Sequence, residues 1–398
     1  MSEDQWGKYL RAKEPGVREK AYAWKTAIGL QKVDGLTPSE YLVKTAQRNI
    51  EGEITLAESR QLVSDYHKAK KLAGGEIGDR TAEADLVSQH IAEVLSEDSF
   101  TFSPEELVSI HRRLFEGVFE FAGRIRDYDI TKDEWVLDGD TVRYGSSYRL
   151  MEMLAFDIRQ EREFSYVGLT EAEIIRHISR FTSNLWQIHA FGEGNTRTTG
   201  VFVIKYLRTL GFDVANDVFA ENAWYFRNAL VRANYTNVQK GIEETTGYLE
   251  LFFRNLLLGE SNVLQSRYLL VGGWKGPDGP ASNIVTPASS VDTPTSKVVT
   301  PTSNSSGNWA LSKAVKRLLL VLGDDELTRE QLMRSLKLKD RKNFVEYSLG
   351  PALKIGLVEM TQPDSPRSPT QRYRLTASGQ KAIVSMPSDP RGAGLEGE

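Results

Sequence analysis

At 398 residues, with 40% hydrophobic and 26% charged residues, the chain has an ordinary globular composition. It exceeds the roughly 250–300 residues that one core usually fills, so two or three domains are expected. The net charge of −4 excludes a global affinity for nucleic acid, and the lack of any cysteine excludes disulfides, thiolate metal sites and cysteine nucleophiles. Residues 1–18 are charged throughout with no apolar signal segment, and no apolar run approaches the roughly eighteen residues of a membrane span, so a cytoplasmic, bacterial location without membrane contact is expected.

In chain order, Leu42, Val43, Ala46 and Ile50 recur at helical spacing, break at Glu51-Gly52 and resume at Leu56, predicting two short helices within 39–67. A second helical body runs over 81–95. Ser103 followed by Pro104 marks another helix start, with Leu107, Ile110, Leu114 and Phe115 turned inward. Over 135–144, β-forming residues flank Asp138-Gly139, which predicts a β-hairpin. Thr170 and Glu173 form a capping box for a helix striped by Ile174, Ile175, Ile178, Phe181 and Leu185, with His189 just past its end. The next helix begins near Asn195, carries Val201, Phe202, Ile204 and Leu207, and stops at Gly211.

Residues 272–308 are rich in Gly, Pro, Ser, Thr and Asn and predict a flexible linker. Beyond it, helices over 311–322, 328–336 and 341–355 precede strands over 358–361 and 371–375, the pattern of a winged helix-turn-helix. Residues 310–375 carry thirteen Lys or Arg against eight Asp or Glu. Lys337, Lys339, Arg341 and Lys342 lead into the candidate recognition helix, and Arg367, Arg372 and Arg374 lie on the wing. DNA contact and protein docking both remain open for this module, as does a homodimer.

The segment from His189 to Arg197 concentrates the chemistry. Gly192 and Gly194 permit a tight turn, and the following helix offers free N–H groups at its start, a setting that attracts anions. Arg197 opposes the helix dipole there unless an anion sits beside it. Glu193 supplies a hard oxygen suited to Mg2+, and His189 is suited to general-base work. His67, His90, His111 and His177 have no companions at metal-ligand spacing and read as ordinary surface or core residues.

The run HAFGEGNTRTTG resembles the motif of the Fic family, His-x-Phe-x-(Asp/Glu)-Gly-Asn-Gly-Arg-x-x-Arg, with six constrained positions matched in nine residues. The resemblance implies a mainly α fold: a Fic helical core with a β-hairpin flap at 135–144, plus the C-terminal winged helix. The chain then divides into an N-terminal helical segment 1–75, a catalytic core 76–258, a linker 259–308, a winged helix 309–385 and a tail 386–398. It implies an adenylyltransferase moving AMP from ATP onto a Ser, Thr or Tyr hydroxyl of a target protein, with His189 as base and Glu193 holding Mg2+. Gly192, Gly194, Asn195, Thr196 and Arg197 would bind the nucleotide, and Tyr225, in a helix like the one bordering the nucleobase, would flank the base. Thr196 and Gly200 replace the second motif glycine and the last motif arginine. The segment 119–126 resembles the approach to the family's flap, and Glu51-Gly52 the end of its inhibitory motif, which makes Glu51 a regulatory candidate. The alternatives are Fic-type transfer of another nucleotidyl, phosphoryl or phosphocholine group, and a DNA-binding regulator with an inactive or sensing Fic domain.

Overall fold

The computed structural model describes residues 4–12, 14–72, 79–214, 217–273, 309–366, 368 and 370–386. The expected linker beyond residue 273, the expected tail from 387 and Arg367 lie outside the described residues. The chain is mainly helical. Its first part holds α1 (Asp4–Leu10), α2 (Pro15–Leu30), α3 (Glu40–Ile50), α4 (Leu56–Leu72), α5 (Asp79–Ser96), α6 (Pro104–Phe115), α7 (Leu150–Glu163), α8 (Glu171–Ile188), α9 (Asn195–Thr209), α10 (Val218–Ala233) and α11 (Gly247–Leu258).

Local chemistry sets several of these boundaries. Ser39 and Ser103 cap α3 and α6 by accepting the N–H of Leu42 and Glu106, and the Thr170–Glu173 box closes over the start of α8. Every residue of α9 from Asn195 to Leu207 is buried, so this helix is the axis around which the others pack. Helix α2 lies against α5 and α10, and its Ala21, Trp24 and Ala27 are each at most 1% exposed. Small residues let these helices approach: a Cβ added at Gly29 would fall 2.3 Å from the carbonyl oxygen of Ala220.

The hairpin expected at 135–144 is not formed. Its turn is present: Asp138 and Gly139 both take positive φ, and the N–H of Asp140 donates to the carbonyl of Leu137. The flanking ladder is absent because Trp135–Leu137 forms a 3-10 turn in which the adjacent Val136 and Leu137 are both fully buried, a pattern that strand alternation forbids. The carbonyl of Val136 accepts from the N–H of Val271 instead of a neighbouring strand.

The C-terminal part comprises α12 (Lys313–Leu322), β1 (Leu327–Thr328), α13 (Arg329–Ser335), α14 (Arg341–Phe344), a π-helical segment (Val345–Leu349), α15 (Gly350–Lys354), β2 (Val358–Met360), β3 (Arg372–Leu375) and α16 (Ala377–Val384). The sheet is antiparallel in the order β1-β3-β2, with Glu359 opposite Arg374 and Leu327 opposite Tyr373. The helix expected over 341–355 is interrupted by the π segment because Pro351 has no N–H to donate to the preceding turn. This part is docked on the first: the N–H of Ala310 donates to Leu257, and Trp309 packs on Phe212 with ring centroids 5.2 Å apart. Of the expected wing cations, Arg374 is paired with Glu326 and Glu359, and Arg372 donates to the carbonyl of Glu326. Among the described residues, no helix is long and apolar enough to cross a membrane.

Candidate active site

The turn between α8 and α9 is built around one unusual backbone position. His189 ends α8 in the left-handed region (φ 50°, ψ 55°), which costs a non-glycine residue roughly 1 kcal/mol or more. Buried Arg126 holds it there. Its Nε donates to the His189 carbonyl at 2.7 Å, its other guanidinium N–H groups reach the carbonyls of Tyr128 and Gly145, and its own backbone N–H donates to Ala190.

The rest of the turn closes on itself. The Asn195 side chain accepts from Phe191 N–H at 2.9 Å and donates to Phe191 carbonyl at 2.7 Å. The Thr196 hydroxyl accepts from Trp186 Nε1. Gly194 has φ 77°, and a Cβ there would sit 2.2 Å from the ring of Phe115, so both conformation and space require glycine. The side chains of Asn195 and Thr196, expected on the nucleotide, are therefore committed to shaping the turn, which leaves their main-chain N–H groups at the start of α9.

His111, which reads as an ordinary residue in the sequence, supports this turn. Its Nδ1 accepts from Gly123 N–H at 2.8 Å, so Nε2 carries the proton and donates to the Glu193 carbonyl at 3.1 Å, while the ring stacks on Phe191 at 3.8 Å. Burial pushes its pKa down to about 4. The unfolded chain takes up this proton near pH 6.5 and the folded chain does not, so the stabilisation is complete above 6.5 and is lost as pH falls toward 4. Denaturant titrations should show stability falling by about 3 kcal/mol more between pH 7 and 4 in the wild type than in His111→Gln.

The His189 imidazole is 4% exposed, and neither ring nitrogen has a hydrogen-bond partner. It lies under Tyr144, with ring centroids 4.2 Å apart, and edge-on to Trp186. Burial first, then the positive charges of Lys132, Arg126 and Arg227, hold its pKa well below the usual range. The ring is thus neutral at pH 7 and able to accept a proton.

A cleft of about 470 Å³ is lined by Glu193, Arg197, Lys132, Arg227, Trp224 and the loop 33–36; buried His189 is not part of this lining but feels the charges of Lys132 and Arg227. Lys132 Nζ lies 3.2 Å from the Glu193 carboxylate, and Arg227 pairs with buried Glu134 while covering the Trp224 ring. Arg197 is fully buried over the Phe115 ring. Its Nε is 2.8 Å from Asp34, one terminal nitrogen is 2.7 Å from Glu83, and the other donates to Gln31. The anion that Arg197 needs at a helix N-terminus is supplied, in the ligand-free chain, by two carboxylates from distant segments. A larger open groove of about 740 Å³ between α4 and α5 shares Glu83 but contains no motif residue.

Two expected site residues fall elsewhere. Tyr225 is buried and its hydroxyl donates to the Tyr248 carbonyl; the adjacent Trp224, one helical step round α10, is the aromatic residue facing the cleft. Glu51 caps the end of α3 and is bound by Lys8 and the Tyr9 hydroxyl, with no contact to the motif. At Gly200 a Cβ would meet Leu30 and Phe219 only at van der Waals distance, and as a glycine the position lacks the guanidinium that the motif's last residue would carry.

A helical bundle carrying a tight His–Glu–Arg turn at the head of a buried helix defines a class that the comparisons identify. Residues 101–207 match the Fic/DOC family, and residues 313–376 match the C-terminal domain of filamentation-induced-by-cAMP (Fic-like) proteins. The chain carries a Fic/DOC domain followed by a Fic-like C-terminal domain. It is 29% identical over 165 residues to the protein adenylyltransferase VbhT of Bartonella schoenbuchensis, covering 36% of this chain and 33% of that protein. It is 25% identical over 118 residues to the probable protein adenylyltransferase Fic of Escherichia coli K12, covering 30% of this chain and 56% of that one. The chain thus spans about a third and about half of these two relatives. A Fic family protein from Desulfovibrio desulfuricans G20 superposes with a TM-score of 0.40 at 18% identity, covering 94% of this chain and 95% of that one. The N-terminal Fic domain of a Bartonella sp. AR 15-3 effector gives 0.37 at 21% identity, covering 46% and 83%.

Proposed function

We propose that the protein is an adenylyltransferase that moves AMP from ATP onto a Ser, Thr or Tyr hydroxyl of a protein target. The observation that carries this reading is the neutral His189 imidazole, with both nitrogens unpartnered and within reach of the Lys132 and Arg227 charges of a cation-lined cleft. A buried polar group left without a partner costs about 1–3 kcal/mol, which makes sense where an incoming hydroxyl is the partner. The names of the two partial relatives point the same way.

In this reading the hydroxyl donates its proton to a His189 ring nitrogen as its oxygen attacks the α-phosphorus. The new O–P bond forms as the bond to the bridging oxygen breaks, and pyrophosphate leaves with that electron pair. The first-turn N–H groups of α9, Arg197 and Lys132 hold the phosphates in line, and positioning of this kind supplies most of the rate. Trp224 offers its face to the adenine. Among the described residues no group of three or more His, Cys, Asp or Glu side chains could hold a metal. The half-exposed Glu193 carboxylate, already engaged with one cation, fits as the single protein ligand of a Mg2+ carried in by the nucleotide, where the ion would neutralise phosphate charge. Residues 76–258 form the catalytic unit in this reading.

The test is incubation of the full chain with Mg2+ and ATP labelled at either the α or the γ phosphate. Protein-bound label from the α position alone is expected. Label from the γ position alone would make the reaction phosphoryl transfer, and label from neither, in the protein itself or in added acceptor proteins, would remove the reading.

A further inference from the structure

Four cations line the cleft, and three of them are already neutralised: Arg197 by Asp34 and Glu83, Lys132 by Glu193, and Arg227 by Glu134. Arg80, exposed in the first turn of α5, is the exception among the described residues. Among the described residues its guanidinium donates only to the backbone carbonyl of Asp34, at 2.7 Å, and meets no carboxylate within ion-pair distance.

Asp34 therefore touches two guanidinium groups at once, Arg197 through its carboxylate and Arg80 through its carbonyl. This places both groups on one wall. Within the cleft, Lys132 and Arg227 bear on the His189 ring through their charge, Arg197 is held by Asp34 and Glu83, and Arg80 is held by the Asp34 carbonyl. Trp224 and Arg227 lie in the same cleft, on α10. A nucleotide with its α-phosphorus facing His189 and its base on Trp224 would extend its remaining phosphates toward Arg80.

Charge requires such a residue. Arg197 must share its positive charge with two carboxylates, and no guanidinium comes from position 200, which is glycine. A polyphosphate carrying several negative charges needs a further cation at its outer end, and a guanidinium fork suits it.

We propose that Arg80 is the anchor for the β- and γ-phosphates and so sets the requirement for a nucleoside di- or triphosphate over a monophosphate. This rests on the reading of the cleft as a nucleotide site.

The test is calorimetric titration of the full chain, wild type and Arg80→Ala, with AMP, ADP and ATP in the presence of Mg2+. Because Arg80 is exposed, Arg80→Ala should fold normally, and thermal unfolding checks this. The expected result is a loss of affinity for ATP and ADP of about ten- to a hundredfold, the effect of one charged hydrogen-bonding partner, with AMP affinity within about twofold. Arg80→Lys should recover part of the loss. Equal weakening of all three nucleotides would show that Arg80 merely braces the cleft wall through Asp34, and unchanged affinities would show that it does nothing; either overturns the proposal while leaving the nucleotide site standing. Wild-type protein that binds no nucleotide overturns both.

Discussion

Replacing His189 with alanine is expected to slow transfer from α-labelled ATP about a thousandfold, the usual contribution of a positioned general base. The same substitution should leave the thermal midpoint nearly unchanged. The imidazole packs against Tyr144 and Trp186, and losing those contacts destabilises; the two buried, unpartnered nitrogens disappear with it, and losing them stabilises. Activity and stability should therefore separate in this variant. A rate within tenfold of wild type, or a large fall in midpoint, would mean that the ring is a core element and not the base.

Arg197→Ala is expected to do both kinds of damage. Its guanidinium is 1% exposed and joins α9 to the loop carrying Asp34 and to Glu83 on α5, whose side chains are 25% and 20% exposed. Removing it leaves two partly buried carboxylates without their cation. Full burial would make that loss roughly 3–5 kcal/mol, and the remaining solvent access of the carboxylates lowers it to about 2–3 kcal/mol. The Phe115 ring also loses its cation contact. Chemical denaturation should register that drop, and calorimetry should find no ATP binding. Arg197→Lys restores the charge without the planar fork, so it should recover stability in part and binding hardly at all. Full retention of ATP affinity in either variant would remove Arg197 from the phosphate site.

The sequence carried the local parts of this site and missed the distant ones. The capping box at Thr170, the Ser103-Pro104 start and the stripe of α8 all rest on neighbours within four residues, and those elements formed where the pattern placed them. The Asp138-Gly139 turn formed for the same reason, whereas its ladder depended on partners that Val271 and the core took away. Helix α2 starts at Pro15 without a side-chain cap and carries Gly16 and Gly29, and the turn after it supplies Gln31 and Asp34, which only the tertiary fold brings to the motif. The family resemblance points to Tyr225 because it places a helix near the base without fixing that helix's rotation. Burial on α10 decides that rotation. Nothing local marks Glu83, Lys132 or Arg80 as neighbours of a turn more than sixty residues further on. Even so, the conflict between Arg197 and the helix dipole was a local signal that an anion belongs there, and Asp34 and Glu83 are its ligand-free answer.

That answer frames the decisive competition: the outer face of the motif is held closed by the protein's own carboxylates, and a nucleotide must share Arg197 with them. The most direct measurement is a crystal structure of the full chain with Mg2+ and a non-hydrolysable ATP analogue. The phosphates are expected at the first turn of α9 within hydrogen-bond reach of Arg197 and Lys132, with the base against Trp224 and the α-phosphorus facing His189. A saturated crystal with the cleft empty, or with the analogue bound elsewhere while Arg197 keeps its carboxylates, would contradict it.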